Sequence, residues 1–204
     1  MASPDSAGAL LFQAWYLELA DALFRPVLGE RLYRRLLRQN YMVNFAVDTL
    51  LTTDRHSRWW PAPRSTVLAT SLAVTLARLE AGLGPLASWR LDARQQVGLQ
   101  HELSKAVPEL ATLFAVEAKP WGGTPAAVGR ANYRYSKPFE VVHGATVRTV
   151  GEMGDVPVFR AVIPGGQSGH PLSPHYADQF EAWRRGELLE IESRAPAAGL
   201  RFTP

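Results

Sequence analysis

The residues from Gly165 to His175 constrain this chain more than any others. They read Gly-Gly-Gln-Ser-Gly-His-Pro-Leu-Ser-Pro-His. Three glycines and two prolines exclude a continuous helix or strand, since glycine adds backbone freedom and proline removes an amide donor. Apolar Val156, Val158, Ala161, Val162 and Ile163 lead in. On the far side Ser173 suits a helix N-cap and Pro174 suits the first helical position, where no amide hydrogen is needed. Tyr176, Phe180 and Trp183 then fall on one helical face at i, i+4 and i+7, and Gly186 ends the helix. The stretch predicts strand, shaped loop, helix.

Upstream, the pattern is helical as far as Pro85. Leu11, Trp15, Leu19 and Leu23 recur every four residues from Ala7 to Phe24, with Asp5 or Ser6 available as cap, and Pro26 and Gly29 are expected to end this helix. A second helical stretch runs from Glu30 to about Gln39. Its arginines, Arg31, Arg34, Arg35 and Arg38, read as a solvated face. A third runs from Tyr41 to Leu51 through Val43, Val47 and Leu50. After the polar loop Asp54 to Pro63, Ser65 or Thr66 is expected to cap a long helix. Its apolar stripe is Leu68, Leu72, Leu76, Leu79 and Leu83, stopped by Gly82, Gly84 and Pro85.

Beyond Pro85 the composition turns to strands. Val97, Leu99 and His101 alternate, Pro108 to Ala115 suits a short helix, and Trp121-Gly122-Gly123-Thr124-Pro125 is a turn. Val128 to Tyr135, Phe139 to Val142, Thr146 to Val150 and Val156 to Ile163 follow as strands. The reading is α+β: a helical segment over 1–86, a strand-rich segment over 87–192 closed by the C-terminal helix, and a loose tail over 193–204.

Composition excludes several classes of function. With no cysteine there is no disulfide framework, thiolate nucleophile or zinc–thiolate site. A net charge of +3 with acidic residues spread among basic ones, and no aromatic–basic motif, argues against a nucleic-acid partner. The apolar run Val67 to Leu79 is interrupted by Arg78 and too short to span a bilayer. Met1 to Ser6 has no basic segment leading into an apolar one and does not read as a signal peptide.

Four arrangements bear on chemistry. Ser168 has Gly166 two residues before it but His170 two after, where a nucleophile elbow requires a small residue, so it reads as structural. His170, His175 and Asp178 lack a zinc spacing, and the two imidazoles are better placed to bond loop backbone. His101 and His143 could join an acidic residue as an acid–base pair, which sequence distance neither supports nor excludes, but single histidines in strands are more often satisfied core or surface residues. Neither a metal nor a cofactor is expected.

The fourth arrangement is a resemblance. Gly165, Gly166, Gln167, Ser168, Gly169, His170, Pro171, Ser173, Pro174, His175, Asp178 and Gln179 resemble the C-terminal signature of the penicillin acylase family of N-terminal-nucleophile hydrolases. Leu10 to Trp15 is similar to a helical segment within that family's catalytic subunit. Trp89-Arg90-Leu91-Asp92, His101-Glu102-Leu103 and Gly122 to Val128 match in part, with two acidic positions of the last motif replaced. The resemblance implies the C-terminal part of a four-layer αββα hydrolase that cleaves acyl-amide bonds, as in β-lactam side chains or acyl-homoserine lactones. It implies a periplasmic or secreted full-length enzyme. The family's nucleophile is a processed N-terminal Ser, Thr or Cys whose own α-amino group is the base. Ser3, behind Met1-Ala2 and before Pro4, does not match it, so no catalytic residue is carried onto this chain. The expected partner is the upstream part of such an acylase. The alternative is a non-catalytic scaffold or interaction module that associates through unpaired strand edges.

Overall fold

The computed structural model describes residues 2–53, 57–125, 127, 129–155 and 157–191. The expectations for Asp54, Arg55, His56, Val128, Val156 and the tail over 193–204 lie outside the described residues. The chain divides into two compact units, Met1–Gly144 and Ala145–Pro204.

In the first unit α1 runs from Ala7–Leu36, and the Ser6 hydroxyl caps it by accepting from the Ala9 amide at 3.1 Å. Pro26 does not end this helix. It lies within it, and the break comes at Gly29, where φ 68° and ψ 162° are open to glycine and closed to other residues. The two helical stretches expected from the sequence thus meet at Gly29, within the span Ala7–Leu36. α2, Asn40–Thr52, buries Val43, Val47 and Leu50 as its spacing predicts.

α3, Arg64–Leu83, departs from expectation at both its start and its buried face. It begins behind Pro63 with no side-chain cap, and it buries Val67, Ser71, Thr75 and Leu79 while Leu72 and Leu76 stay exposed. Small residues win because they admit the neighbouring helix closely. The Trp15 indole donates to the Ser71 hydroxyl at 3.0 Å. Ser71 and Thr75 return their own protons to the carbonyls of Leu68 and Ser71 at 3.0 and 2.8 Å, so neither hydroxyl is left unpaired. Gly84, at φ 77°, ends the helix.

β1, Gln96–Leu99, then pairs antiparallel with β2, Val116–Pro120, through Gln96 opposite Pro120 and Val97 opposite Lys119. Two single-turn helices lie between them, α4 at Leu103–Ala106 and α5 at Ala111–Phe114. β3 is only Asn132–Tyr133, antiparallel to β4, Val141–His143. The expected strand to Tyr135 stops early because the Tyr135 amide donates to the Asn40 side chain at 3.2 Å instead of to a strand. The main core gathers Leu19, Leu23, Phe24, Val43, Val47 and Tyr133, and a smaller cluster holds Leu10, Leu79, Trp89 and Leu91.

The second unit is a three-stranded antiparallel sheet in the order β5, Arg148–Glu152, β6, Val158–Val162, and β7, Leu189–Ile191. Between β6 and β7 comes α6, Phe180–Arg185, so a strand follows the helix expected to close the chain. The register sets Phe159 opposite both Gly151 and Ile191, and Ala161 opposite Leu189, which gives one sheet face without charge. The other face holds Arg160 between Glu152 and Glu190, and Arg148 with its guanidinium 5.1 Å above the Trp183 ring. Phe180 and Trp183 are buried, and the Trp183 indole donates to the Ala145 carbonyl at 2.8 Å. Gly186, at φ 78° and ψ 16°, ends α6 as its position predicts.

α6 starts later than the sequence suggests. Ser173 is not its N-cap and Pro174 is not its first residue; the cap is Gln179, without a side-chain bond. The physical reason lies in the loop. Carbonyls and amides that a helix from Pro174 would need are already committed to closing the turn.

Candidate functional site

The loop after β6 is closed by its own backbone. The Gln179 amide donates to the Gly165 carbonyl at 3.0 Å, and the Gln179 side-chain oxygen accepts from the Ile163 amide at 3.2 Å, tying both ends together. Ser168 donates its amide to the His175 carbonyl at 3.0 Å, which turns that carbonyl back toward the loop and away from a helical path. The Ser173 carbonyl accepts from Tyr176 at 3.1 Å, and its hydroxyl accepts from the His175 amide at 3.2 Å.

The side chains with reactive chemistry are spent in the same way. The Ser168 hydroxyl accepts from the His170 amide at 3.1 Å, and His170 Nδ1 accepts from the Leu172 amide at 3.2 Å. His175 Nδ1 lies 2.8 Å from Asp178 Oδ2, with the imidazole largely exposed. Among the described residues no hydrogen bond joins the Ser168 hydroxyl to an imidazole, and no three His, Asp or Glu side chains come together as a metal cluster. The glycines are not equivalent. A Cβ on Gly166 would overlap the His175 carbonyl oxygen and lie 2.8 Å from its carbon, whereas one on Gly169 would meet nothing within 4 Å.

Among the described residues neither of the other histidine candidates is paired with an acid. His101 Nδ1 accepts from the Leu103 amide at 3.1 Å and the ring stacks on Phe114 at 4.7 Å. His143 is exposed at the end of β4.

A second polar centre, in the first unit, was not identified from the sequence. Asn40, Asn44 and Asp48 form an i, i+4, i+8 stripe on α2, a spacing that would have revealed it. Asn40 donates to the Tyr133 carbonyl and, at 3.2 Å, to Asn132 Oδ1, while its own oxygen receives the Tyr135 amide. Asn44 Oδ1 accepts from the Tyr135 hydroxyl, and Asp48 accepts from Tyr16 at 2.9 Å. Buried Gln13 accepts from Tyr133 at 3.0 Å. Of these groups Gln13, Tyr16, Asn44, Asp48, Tyr133 and Tyr135 border a hollow of about 230 Å³ with Phe12, Leu17 and Pro125. Burial pushes the Tyr135 hydroxyl up to about 12 and raises Tyr133; burial, then the Asp48 bond, raises Tyr16. All three stay protonated near neutrality, and the Asn40 bonds to Asn132, Tyr133 and Tyr135 hold that segment against α2. Gln95, fully buried, has a similar part: its amide donates to the carbonyls of Trp121, Gly122 and Gly123 at 3.3, 2.8 and 3.2 Å.

Comparison with known proteins agrees with the loop signature. The penicillin amidase family matches residues 1–198, and the chain belongs to that family. Acyl-homoserine lactone acylase QuiP of Pseudomonas aeruginosa is 28% identical over 92% of this chain and 25% of its own length. Penicillin acylase 2 proenzyme of Pseudomonas sp. strain SE83 is 33% identical over 68% of this chain and 17% of its own. The chain therefore spans about a quarter or less of these relatives. A thermostable penicillin G acylase from Alcaligenes faecalis shares the fold, with a TM-score of 0.54 and 14% identity over 98% of this chain and 39% of that one.

Proposed function

We propose that this chain forms the C-terminal portion of the catalytic subunit of a penicillin acylase-like amidohydrolase, an αββα N-terminal-nucleophile hydrolase that cleaves acyl-amide bonds in β-lactam side chains or acyl-homoserine lactones. In this reading residues 1–86 bring a helical segment to the larger core, residues 87–192 bring closing strands, and the Gly165 to Gln179 signature shapes the fold without taking part in the reaction. The observation that carries it is the family match over residues 1–198 in a chain spanning about a quarter of its acylase relatives. Two features support an incomplete active centre. Every loop hydroxyl and imidazole described above is engaged locally, and the uncharged sheet face leaves Phe159, Leu189 and Ile191 exposed, as a surface awaiting further protein does.

The chain alone is then inert, and the partner it requires is the upstream part of such an acylase. The test is turnover by the purified chain on a panel of penicillins and acyl-homoserine lactones, alone and after co-expression with the remaining part of an acyl-homoserine lactone acylase. Hydrolysis only with the complementing part is expected. Robust hydrolysis by the chain alone would overturn the reading.

A further inference from the structure

The first unit contains a cleft of about 700 Å³ beside α1 and α3, which shares Leu17 and Tyr135 with the hollow beside α2 and is otherwise lined by different residues. Its charges do not cancel. Glu18 pairs with Arg78, and Asp21 with Arg25 at 2.7 Å, but the Arg94 guanidinium has no acidic or hydrogen-bonding partner among the described residues. Arg94 is exposed and open to a ligand. Its position is made by a second residue: a Cβ on Gly82 would overlap the Arg94 guanidinium, so the bare backbone near the end of α3 is what admits it. Leu17, Leu37, Leu79 and Phe139 supply an apolar wall to the same cleft.

From this we infer that the cleft is a binding site for a monocarboxylate with an apolar body, its head held by Arg94 and its tail lying on Leu17, Leu37, Leu79 and Phe139. A guanidinium offers paired donors that match the two oxygens of a carboxylate. One uncompensated cation suits one negative charge, and the neighbouring carboxylates of Glu18 and Asp21 oppose a dianion such as a phosphate monoester. The apolar wall adds affinity in proportion to the tail it covers. This site goes beyond the proposed acylase function and does not depend on it.

The test is calorimetric titration of the chain with octanoate, octan-1-ol and octyl phosphate. Octanoate is expected to bind at one site, with octan-1-ol about tenfold weaker or worse, as loss of a charge-assisted hydrogen bond requires, and octyl phosphate no tighter than octanoate. Arg94→Gln, an exposed change checked by an unaltered melting temperature, should weaken octanoate by about tenfold or more and leave octan-1-ol unchanged. Gly82→Ala should weaken octanoate by displacing the guanidinium. If Gly82→Ala fails to fold, the Arg94 variant and the alcohol comparison still decide. Equal affinity for octanoate and octan-1-ol, wild-type affinity in Arg94→Gln, or no saturable octanoate binding would each overturn the inference.

Discussion

Replacing Gly166 with alanine adds a single methyl group where the loop has no room for one. The new Cβ would lie 2.8 Å from the His175 carbonyl carbon and 2.5 Å from Asp178 Oδ1, against roughly 3.5–4.0 Å for carbon atoms in normal contact. A flexible side chain could move aside, and Asp178 would. The His175 carbonyl cannot, because it is backbone and accepts the Ser168 amide at 3.0 Å, and the same turn carries the Gln179 amide back to Gly165. Relief requires opening at least one of these bonds. Overpacking costs about 1–3 kcal/mol, and a lost hydrogen bond about another 1 kcal/mol. Together that is about 3 kcal/mol, or a fall in melting temperature of roughly 6–12 °C for a chain of this size. Gly169→Ala is the control, since its Cβ meets nothing within 4 Å and should change stability by no more than about 0.5 kcal/mol. Thermal melts followed by circular dichroism, with amide exchange at Ser168 and Gln179, measure both. Equal melting temperatures for the two variants, or unaltered exchange at those amides in Gly166→Ala, would refute the close-approach argument.

Asn40→Ala removes the link between α2 and the Asn132 to Tyr135 segment and leaves the Tyr135 amide without its acceptor. A loss of about 1–3 kcal/mol is expected, read as a shift of the urea midpoint with unchanged slope. An unshifted midpoint would contradict it. Alkaline pH should unfold the first unit through buried Tyr33, Tyr133 and Tyr135 and partly buried Tyr16, all raised chiefly by burial. Below about pH 10 their hydroxyls are neutral in both folded and unfolded chains. Above it the unfolded chain ionises while folded Tyr135 keeps its proton to about 12, so stability is lost as pH rises from about 10 toward 12. Tyrosinate absorbance for these four should appear together with unfolding, and their ionisation in a still-folded chain would count against the burial argument.

What could be read from the sequence depended on which physical effect dominated locally. α2 was legible because Val43, Val47 and Leu50 recur at helical spacing and are its buried residues. α3 was legible as a helix but not in its orientation. Leucine content pointed to Leu72 and Leu76, whereas Ser71 and Thr75 are buried, because a small side chain with a carbonyl of its own to bond permits a closer approach than a leucine does. The α1 kink turned on the difference between two helix breakers. Proline forfeits one bond and fixes a φ that a helix already has, while Gly29 adopts a backbone conformation that no helix contains.

The signature loop shows the same limit from the functional side. Its glycines and prolines marked it as irregular, and its Ser, His and Asp residues suggested chemistry, but composition does not reveal which bonds those groups make. Ser173 fits an N-cap by type, yet its hydroxyl is taken by the His175 amide two residues on. Once the His175 carbonyl is turned back to Ser168, it can no longer accept from Gln179, and Gln179 bonds Gly165 instead. That exchange delays α6 to Phe180, where Phe180 and Trp183 are buried. The requirement for glycine at 166 and the late helix start are thus one event. The bare backbone at Gly166 lets the His175 carbonyl come close, and that approach takes from the helix the acceptor it would need to begin at Pro174.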